Sequence, residues 1–241
     1  RESVVSALTY PTFVTVVAVI VVGIIMGYAV PTFTNMFESL SIELPWVTKA
    51  LIAVSGFFQK YTLLLIALLA LAVFAVKLYG TTEKGGPALA RTQLKLPIIG
   101  EIVRMSGASQ FSHTMSTLLT AGMPILQAID VSGRTVTNLC LSGEVLATLP
   151  GVEGGRPLGE CMSYAKELPP MLTQMTAVGE ATGSLESTLK VLADYYDNEV
   201  DVRVKRALSL LEPAIIVALS IFVVFILMAV YLPMFSMYSA I

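Results

Sequence analysis

Residues 210–235 read LLEPAIIVALSIFVVFILMAVYLPMF, and residues 8–33 read LTYPTFVTVVAVIVVGIIMGYAVPTF. Leu8, Pro11, Pro31 and Phe33 recur at identical spacing as Leu210, Pro213, Pro233 and Phe235. In both copies the prolines bracket an almost purely apolar run, so the repeated unit contains a membrane span. A polar segment of domain size precedes the second copy, whereas only residues 1–7 precede the first. Because Arg1 is not an initiator methionine, the equivalent segment of the first copy is expected to lie upstream, with residues 1–12 as its end.

Composition agrees with a membrane protein. Apolar residues make up 55% of the chain and charged ones 13%, against about 25% charged in a soluble domain. A third apolar run, residues 61–79, carries Lys77 near its end, where the ammonium can reach the headgroups while its stem stays in hydrocarbon. Each run gives roughly 27 Å of helix, enough to cross a hydrocarbon core. The first is not a signal peptide, because Pro31-Thr32-Phe33 follows it in place of a small-residue cleavage site. The expected fold is an all-α membrane protein with three transmembrane helices at residues 13–30, 61–79 and 213–232. A helical-bundle cytoplasmic domain, residues 80–212, lies between the second and third. An extracytoplasmic (periplasmic) loop with an amphipathic helix fills residues 31–60, and residues 233–241 form an extracytoplasmic tail.

Orientation follows from the basic residues. Lys77, Lys84, Arg91 and Lys95 flank one end of the long polar segment and Arg203, Lys205 and Arg206 the other, which puts that segment in the cytoplasm. The N-terminus is then inside and the C-terminus outside. Cys140 and Cys161 sit in a reducing compartment and read as thiols. The net charge of −2 comes with no basic stripe interleaved with aromatics, so nucleic acid is not an expected partner.

In the outer loop, Leu44-Pro45 leads into an amphipathic helix over residues 47–58, interrupted by Gln59 and Lys60 before the second span. Trp46 at its start anchors at headgroup level, in contact with membrane lipid. Gly80 to Pro87 reads as a polar linker. Beyond it, Ile102, Met105, Met115, Leu118 and Leu119 trace one face of a helix that stops at Gly122, and Pro124 opens the next. Asn138 caps a third helix running to Leu149, Gly151 to Arg156 is a loop, and Pro157 and Pro169-Pro170 open two more. The last cytoplasmic helix starts after Gly183-Ser184 and meets no breaker until Pro213, where it either kinks or restarts as the third span. Glu212 then lies near a helix N-terminus at the water boundary.

Most site chemistry is missing. No phosphate-binding loop is present, which argues against ATP hydrolysis, and the lone His113 has no ligand partners at metal-binding spacing. The interiors of the spans hold no charge, which disfavours an ion pathway. No cofactor, metal or catalytic residue is expected. Asp194, Asp197 and Asp201 share a helical face that would suit a divalent cation or a basic partner. The simpler reading is a solvated face on which Glu199 pairs with Arg203 and Asp201 with Lys205. Gly179 and Gly183 flank Glu180 at a helix end, the glycines shaping a turn and Glu180 fixing it by hydrogen bonds.

The segment from Pro169 to Met175, followed by Val178-Gly179-Glu180-Ala181-Thr182-Gly183-Ser184-Leu185, resembles the signature of the type II secretion system protein F family, also called type IV pilus inner-membrane platform proteins. Leu192 to Tyr196, Glu199-Val200-Asp201 and Leu211-Glu212-Pro213 continue the likeness, and Ala7 to Pro11, Val30 to Phe33, Leu94 to Pro97 and Leu118 to Pro124 precede it in order. Glu186 stands where relatives often carry aspartate. The resemblance implies a non-enzymatic platform in the bacterial cytoplasmic (inner) membrane. Such a platform engages a cytoplasmic assembly ATPase, pilin or pseudopilin subunits and other inner-membrane assembly proteins, as a homo-oligomer. It directs attention to Gly179, Glu180, Gly183, Glu186, Tyr196, Glu199, Glu212 and Pro213. The chain departs from the family in lacking the first cytoplasmic domain. A channel or transporter subunit with a regulatory cytoplasmic domain is the alternative.

Overall fold

The computed structural model describes residues 13–14, 16–18, 20–29, 31–32, 46–82 and 85–238; Leu8, Pro11, Phe33 and Leu44-Pro45 fall outside them. Every regular element among the described residues is helical. They divide into one unit within Arg1–Ala75 and Leu208–Ile241 and a second, Val76–Ala207.

In the first unit, the N-terminal apolar run is helical where described and includes a π-helical turn at Ile25–Ala29. Val22 and Ile25 of the first repeat copy and Phe222, Phe225 and Ile226 of the second pack against one apolar cluster. Many of the remaining apolar side chains face outward, among them Ile20, Ile24, Leu64, Ile66, Ile221 and Val224. Continuous apolar exposure of this kind belongs to a surface facing lipid or another apolar partner.

Helix α1, Trp46–Gly80, is a single element of 35 residues. This corrects the expected interruption at Gln59 and Lys60. A polar pair does not break a helix, since neither residue lacks an amide donor or favours φ > 0. The Phe57 and Tyr61 rings bracket the pair one turn apart, with centroids at 4.9 Å. The linker from Gly80 to Pro87 is also shorter than expected, because α2, Gly85–Lys95, begins before the proline. Thr82 Oγ1 accepts the Gly85 amide at 3.0 Å, and Pro87 sits in the first turn, where a missing donor costs nothing.

The second unit continues with α3 (Ile99–Thr120), α4 (Ile125–Thr135), α5 (Leu139–Leu146), α6 (Leu149–Glu153), α7 (Leu158–Met162) and α8 (Pro170–Ala181). The chain then enters α9, Leu185–Tyr238, a helix of 54 residues. One core runs through the bundle, built from Phe111 and Met115 of α3, Ile129 of α4, Leu141 of α5, Leu172 of α8 and Leu189 and Tyr196 of α9. Each fully buried side chain of this size contributes about 1.5–3 kcal/mol of transfer free energy. The buried face of α3 centres on Ala108, Phe111, Ser112 and Met115, while Met105, Leu118 and Leu119 pack at its margin and Ile102 is half-buried outside the core. The periodicity had weighted the margins because Phe111 stands among serines and Ala108 is small.

Helix ends follow local chemistry. Gly122, Gly155 and Gly183 have φ of 78°, 82° and 68°. At each, the glycine amide and the next one reach back to close a Schellman turn, as with Gly122 N–H to the Leu119 carbonyl (2.9 Å) and Met123 N–H to Leu118 (3.0 Å). Asn138 Oδ1 accepts from the amides of Cys140 (3.0 Å) and Leu141 (3.3 Å), capping α5. That helix stops at Leu146, short of Leu149, and half of the expected loop is the short helix α6. Helices α3 and α9 run antiparallel: Ser109 Oγ donates to Asp197 Oδ1, and Arg203 pairs with Glu101.

Candidate functional site

The turn joining α8 to α9 gathers three of the residues singled out in the sequence. Gly183 N–H donates to the Glu180 carbonyl at 3.2 Å and Ser184 N–H to the Gly179 carbonyl at 2.8 Å. Gly183 supplies the left-handed φ that this geometry requires. Gly179 is needed for a different reason: a Cβ there would lie 2.9 Å from Thr188 Oγ1 and 3.1 Å from the Leu185 Cα. The end of α8 therefore packs directly on the start of α9. Ser184 completes the turn as its carbonyl accepts the Thr188 amide at 3.0 Å.

Glu180 reaches away from its own turn to α7. Its Oε1 accepts the Leu158 amide at 2.8 Å and its Oε2 the Gly159 amide at 3.0 Å. Those are the first two amides of a helix whose N-cap, Pro157, offers no side-chain acceptor. A carboxylate there satisfies orphan donors and sits favourably in the field of the helix N-terminus. The backbones of α7 and α8 also touch closely, since a Cβ on Gly159 would come within 2.4 Å of the Ala177 Cα. With both oxygens engaged by backbone amides, Glu180 clamps α8 to α7. An open groove of about 800 Å³ runs beside it, lined by Ile125, Val152, Arg156, Glu160, Gln174 and Glu180 among others.

A second carboxylate clamp was not legible in the sequence. Glu144 of α5 accepts the amides of Lys166 (3.0 Å) and Glu167 (3.0 Å, to Oε2), and Arg104 of α3 grips the Glu167 carboxylate at 2.6 Å. One clamp holds the start of α7 and the other the irregular segment that follows it.

The other residues are strung along α9. Glu186 is exposed in its first turn. Tyr196 is buried at 2% exposure, and its hydroxyl makes no hydrogen bond, as is also true of Ser112 Oγ and Thr176 Oγ1. Burial, reinforced by the neighbouring Tyr195, pushes the phenol up to about 12, tempered by the nearby Leu172 backbone. Glu199 pairs with Arg203 at 2.9 Å, as the spacing predicts, whereas no ion pair joins Asp201 to Lys205. Asp197 is held by Ser109, and among the described residues no three acidic, histidine or cysteine side chains converge on a point where a cation would sit. Pro213 lies inside α9, which neither stops nor restarts there; the Glu212 side chain is outside the described residues. The eight positions thus form one compact turn, Gly179 to Gly183, and a line along a single helix.

The sequence profile of the family described as Type II secretion system (T2SS), protein F matches residues 111–233. Type IV pilus assembly protein PilC of Thermus thermophilus is 35% identical over 98% of this chain and 58% of its own length, and that of Pseudomonas aeruginosa 37% over 96% and 62%. Type II secretion system protein F of Aeromonas hydrophila is 31% identical over 98% and 61%. The chain spans about six tenths of the length of these relatives. Since the profile takes in the clamp carboxylates Glu144 and Glu180, the glycine turn and most of α9, and the likeness to these relatives extends over nearly the whole chain, this protein belongs to the type II secretion system protein F family.

Proposed function

We propose that the chain is the major part of an inner-membrane platform that couples a cytoplasmic assembly ATPase to the insertion of pilin or pseudopilin subunits into a fibre. The platform is non-enzymatic. In this reading residues 13–30, 61–79 and 213–232 span the bacterial inner membrane, residues 80–212 form the cytoplasmic domain, and the C-terminus is outside. The observation that carries it, within a family whose relatives are named for pilus assembly and type II secretion, is α9. One helix contains both the packed residues Leu189, Leu192 and Tyr196 and the apolar run after Pro213. It has the form needed to pass a tilt or rotation of the bundle to a span. The partners are the ATPase, the subunits, other inner-membrane assembly proteins and further copies of the chain.

The test is photo-crosslinking in intact cells from a probe at Glu186, which is exposed at the start of α9. Capture of an assembly ATPase or a pilin-like subunit supports the platform. Silence at Glu186 and at other exposed sites of the bundle, in a properly inserted protein, overturns it.

A further inference from the structure

The turn between α2 and α3, Leu96-Pro97-Ile98-Ile99, has an unusual composition for its geometry. Ile98 has φ 68° and ψ −57°, and Ile99 N–H donates to the Pro97 carbonyl at 2.8 Å. This is a γ-turn of the strained, left-handed kind, in which a β-branched residue is an outlier. Its surroundings hold it in place. Gly100 N–H bonds the Leu96 carbonyl at 2.8 Å, and the Gly100 Cα packs so close to Leu94 that a Cβ would lie 2.3 Å from its carbonyl oxygen. Turns of this kind normally carry glycine or asparagine. Here the turn displays three aliphatic side chains, Leu96, Ile98 and Ile99, at 44%, 51% and 49% exposure.

Register says which end of the domain they occupy. Because α3 and α9 are antiparallel, going from Ser109 back to Glu101 on α3 goes from Asp197 forward to Arg203 on α9. The turn therefore lies at the end of the bundle marked by Arg203 on α9. Exposed basic side chains lie close to that end in register: Arg91 and Lys95, one turn apart on α2, and Lys205 on α9.

We infer that this turn is a membrane-surface anchor: Leu96, Ile98 and Ile99 enter the acyl boundary of an anionic bilayer while the flanking lysines and Arg91 meet its headgroups. Apolar side chains with a basic rim are the chemistry of interfacial anchoring. The strained turn pre-orders them, so no side chain or loop has to be fixed on contact. The inference rests on the platform reading insofar as that reading places the chain in a membrane.

The experiment uses the full chain with its single tryptophan removed (Trp46→Phe) and one new probe, reconstituted in vesicles of phosphatidylethanolamine and phosphatidylglycerol with brominated acyl chains. Ile98→Trp and, separately, Ile99→Trp are expected to show blue-shifted emission quenched by bromine. Val191→Trp, exposed elsewhere on α9, should be quenched by acrylamide only. Ile221→Trp in the apolar run reports insertion of the chain itself. Quenching at position 221 with acrylamide-only quenching at 98 and 99 overturns the anchor and leaves the platform standing. Absence of bromine quenching at 221 removes the membrane reading on which the anchor depends. Protection at 98 and 99 from both quenchers assigns the turn to a second copy of the chain and also overturns the anchor.

Discussion

Replacing Glu180 tests the central clamp of the bundle. Its carboxylate is the acceptor for the Leu158 and Gly159 amides at 2.8 and 3.0 Å, and hydrogen bonds to a charged group contribute about 1.5–3 kcal/mol each. The neighbouring groove is open, so water takes up part of that loss in a variant. Glu180→Gln keeps the shape and one good acceptor but sets an amide NH₂ against a backbone donor, a loss of about 1.5 kcal/mol. Glu180→Ala removes both acceptors and should cost about 2–3 kcal/mol. At about 4 °C per kcal/mol for a domain of this size, the bundle's melting temperature should fall by roughly 6 °C for Gln and 8–12 °C for Ala. Thermal unfolding of the full chain in lipid nanodiscs measures the total, and hydrogen exchange over residues 155–163 reads the site. Faster exchange at Leu158 and Gly159 must accompany the loss. Unchanged exchange there in Glu180→Ala would refute the assignment of Glu180 as the cap of α7, whatever the melting temperature does.

Gly159→Ala should destabilise by about 1–3 kcal/mol through overpacking against Ala177, and Gly183→Ala by about 1–2 kcal/mol through its left-handed φ; in the second case Gly183→Asn should recover part of the loss, because asparagine tolerates αL. Tyr196→Phe removes a buried hydroxyl that has no hydrogen bond and should be neutral or slightly stabilising, whereas Tyr196→Ala should cost about 3–5 kcal/mol, both read by chemical denaturation. With the native phenol pushed from 10.0 to about 12, the folded state keeps its proton where the unfolded chain releases it. Stability is therefore full below pH 10 and falls by roughly 2–3 kcal/mol as the pH rises to about 12. Tyr196→Phe should remove that slope, and an unchanged slope would assign it to another group. Pro213→Ala restores a helix donor within α9 and should lower fibre output or secretion without loss of membrane insertion; unaltered output in cells would count against Pro213 as a mechanical joint.

What the sequence made legible was chemistry confined to a few neighbouring residues. Gly122 and Gly183 mark helix ends because only glycine adopts their φ without strain, and Asn138 marks a start because its own side chain caps the next turn. Glu180 was recognisable as a fixing residue, but not what it fixes: its partners, Leu158 and Gly159, are more than twenty residues away in sequence and donate only backbone groups, which carry no side-chain signature. Glu144 left no trace for the same reason. The continuity of α1 across Gln59-Lys60 is hidden by the polar pair that interrupts the apolar pattern, and at Pro213, where the sequence admits either a kink or a restart, the chain stays helical. A proline removes one hydrogen bond and bends a helix; it ends one only where the chain has a better alternative.

The dual role of α9 also orders events during synthesis. Leu189, Leu192 and Tyr196 complete the core begun by Leu94, Phe111 and Ile129, so every earlier helix of the bundle emerges from the ribosome with an open apolar face. That face closes only when the helix leading into the last apolar run has itself been made. The run after Pro213 follows within a few turns, so on the proposed platform reading folding of the bundle and delivery of this segment to the bilayer fall in the same short interval. A chain halted between Ser184 and Tyr196 would expose the incomplete core, and such a product is a natural substrate for quality-control proteolysis.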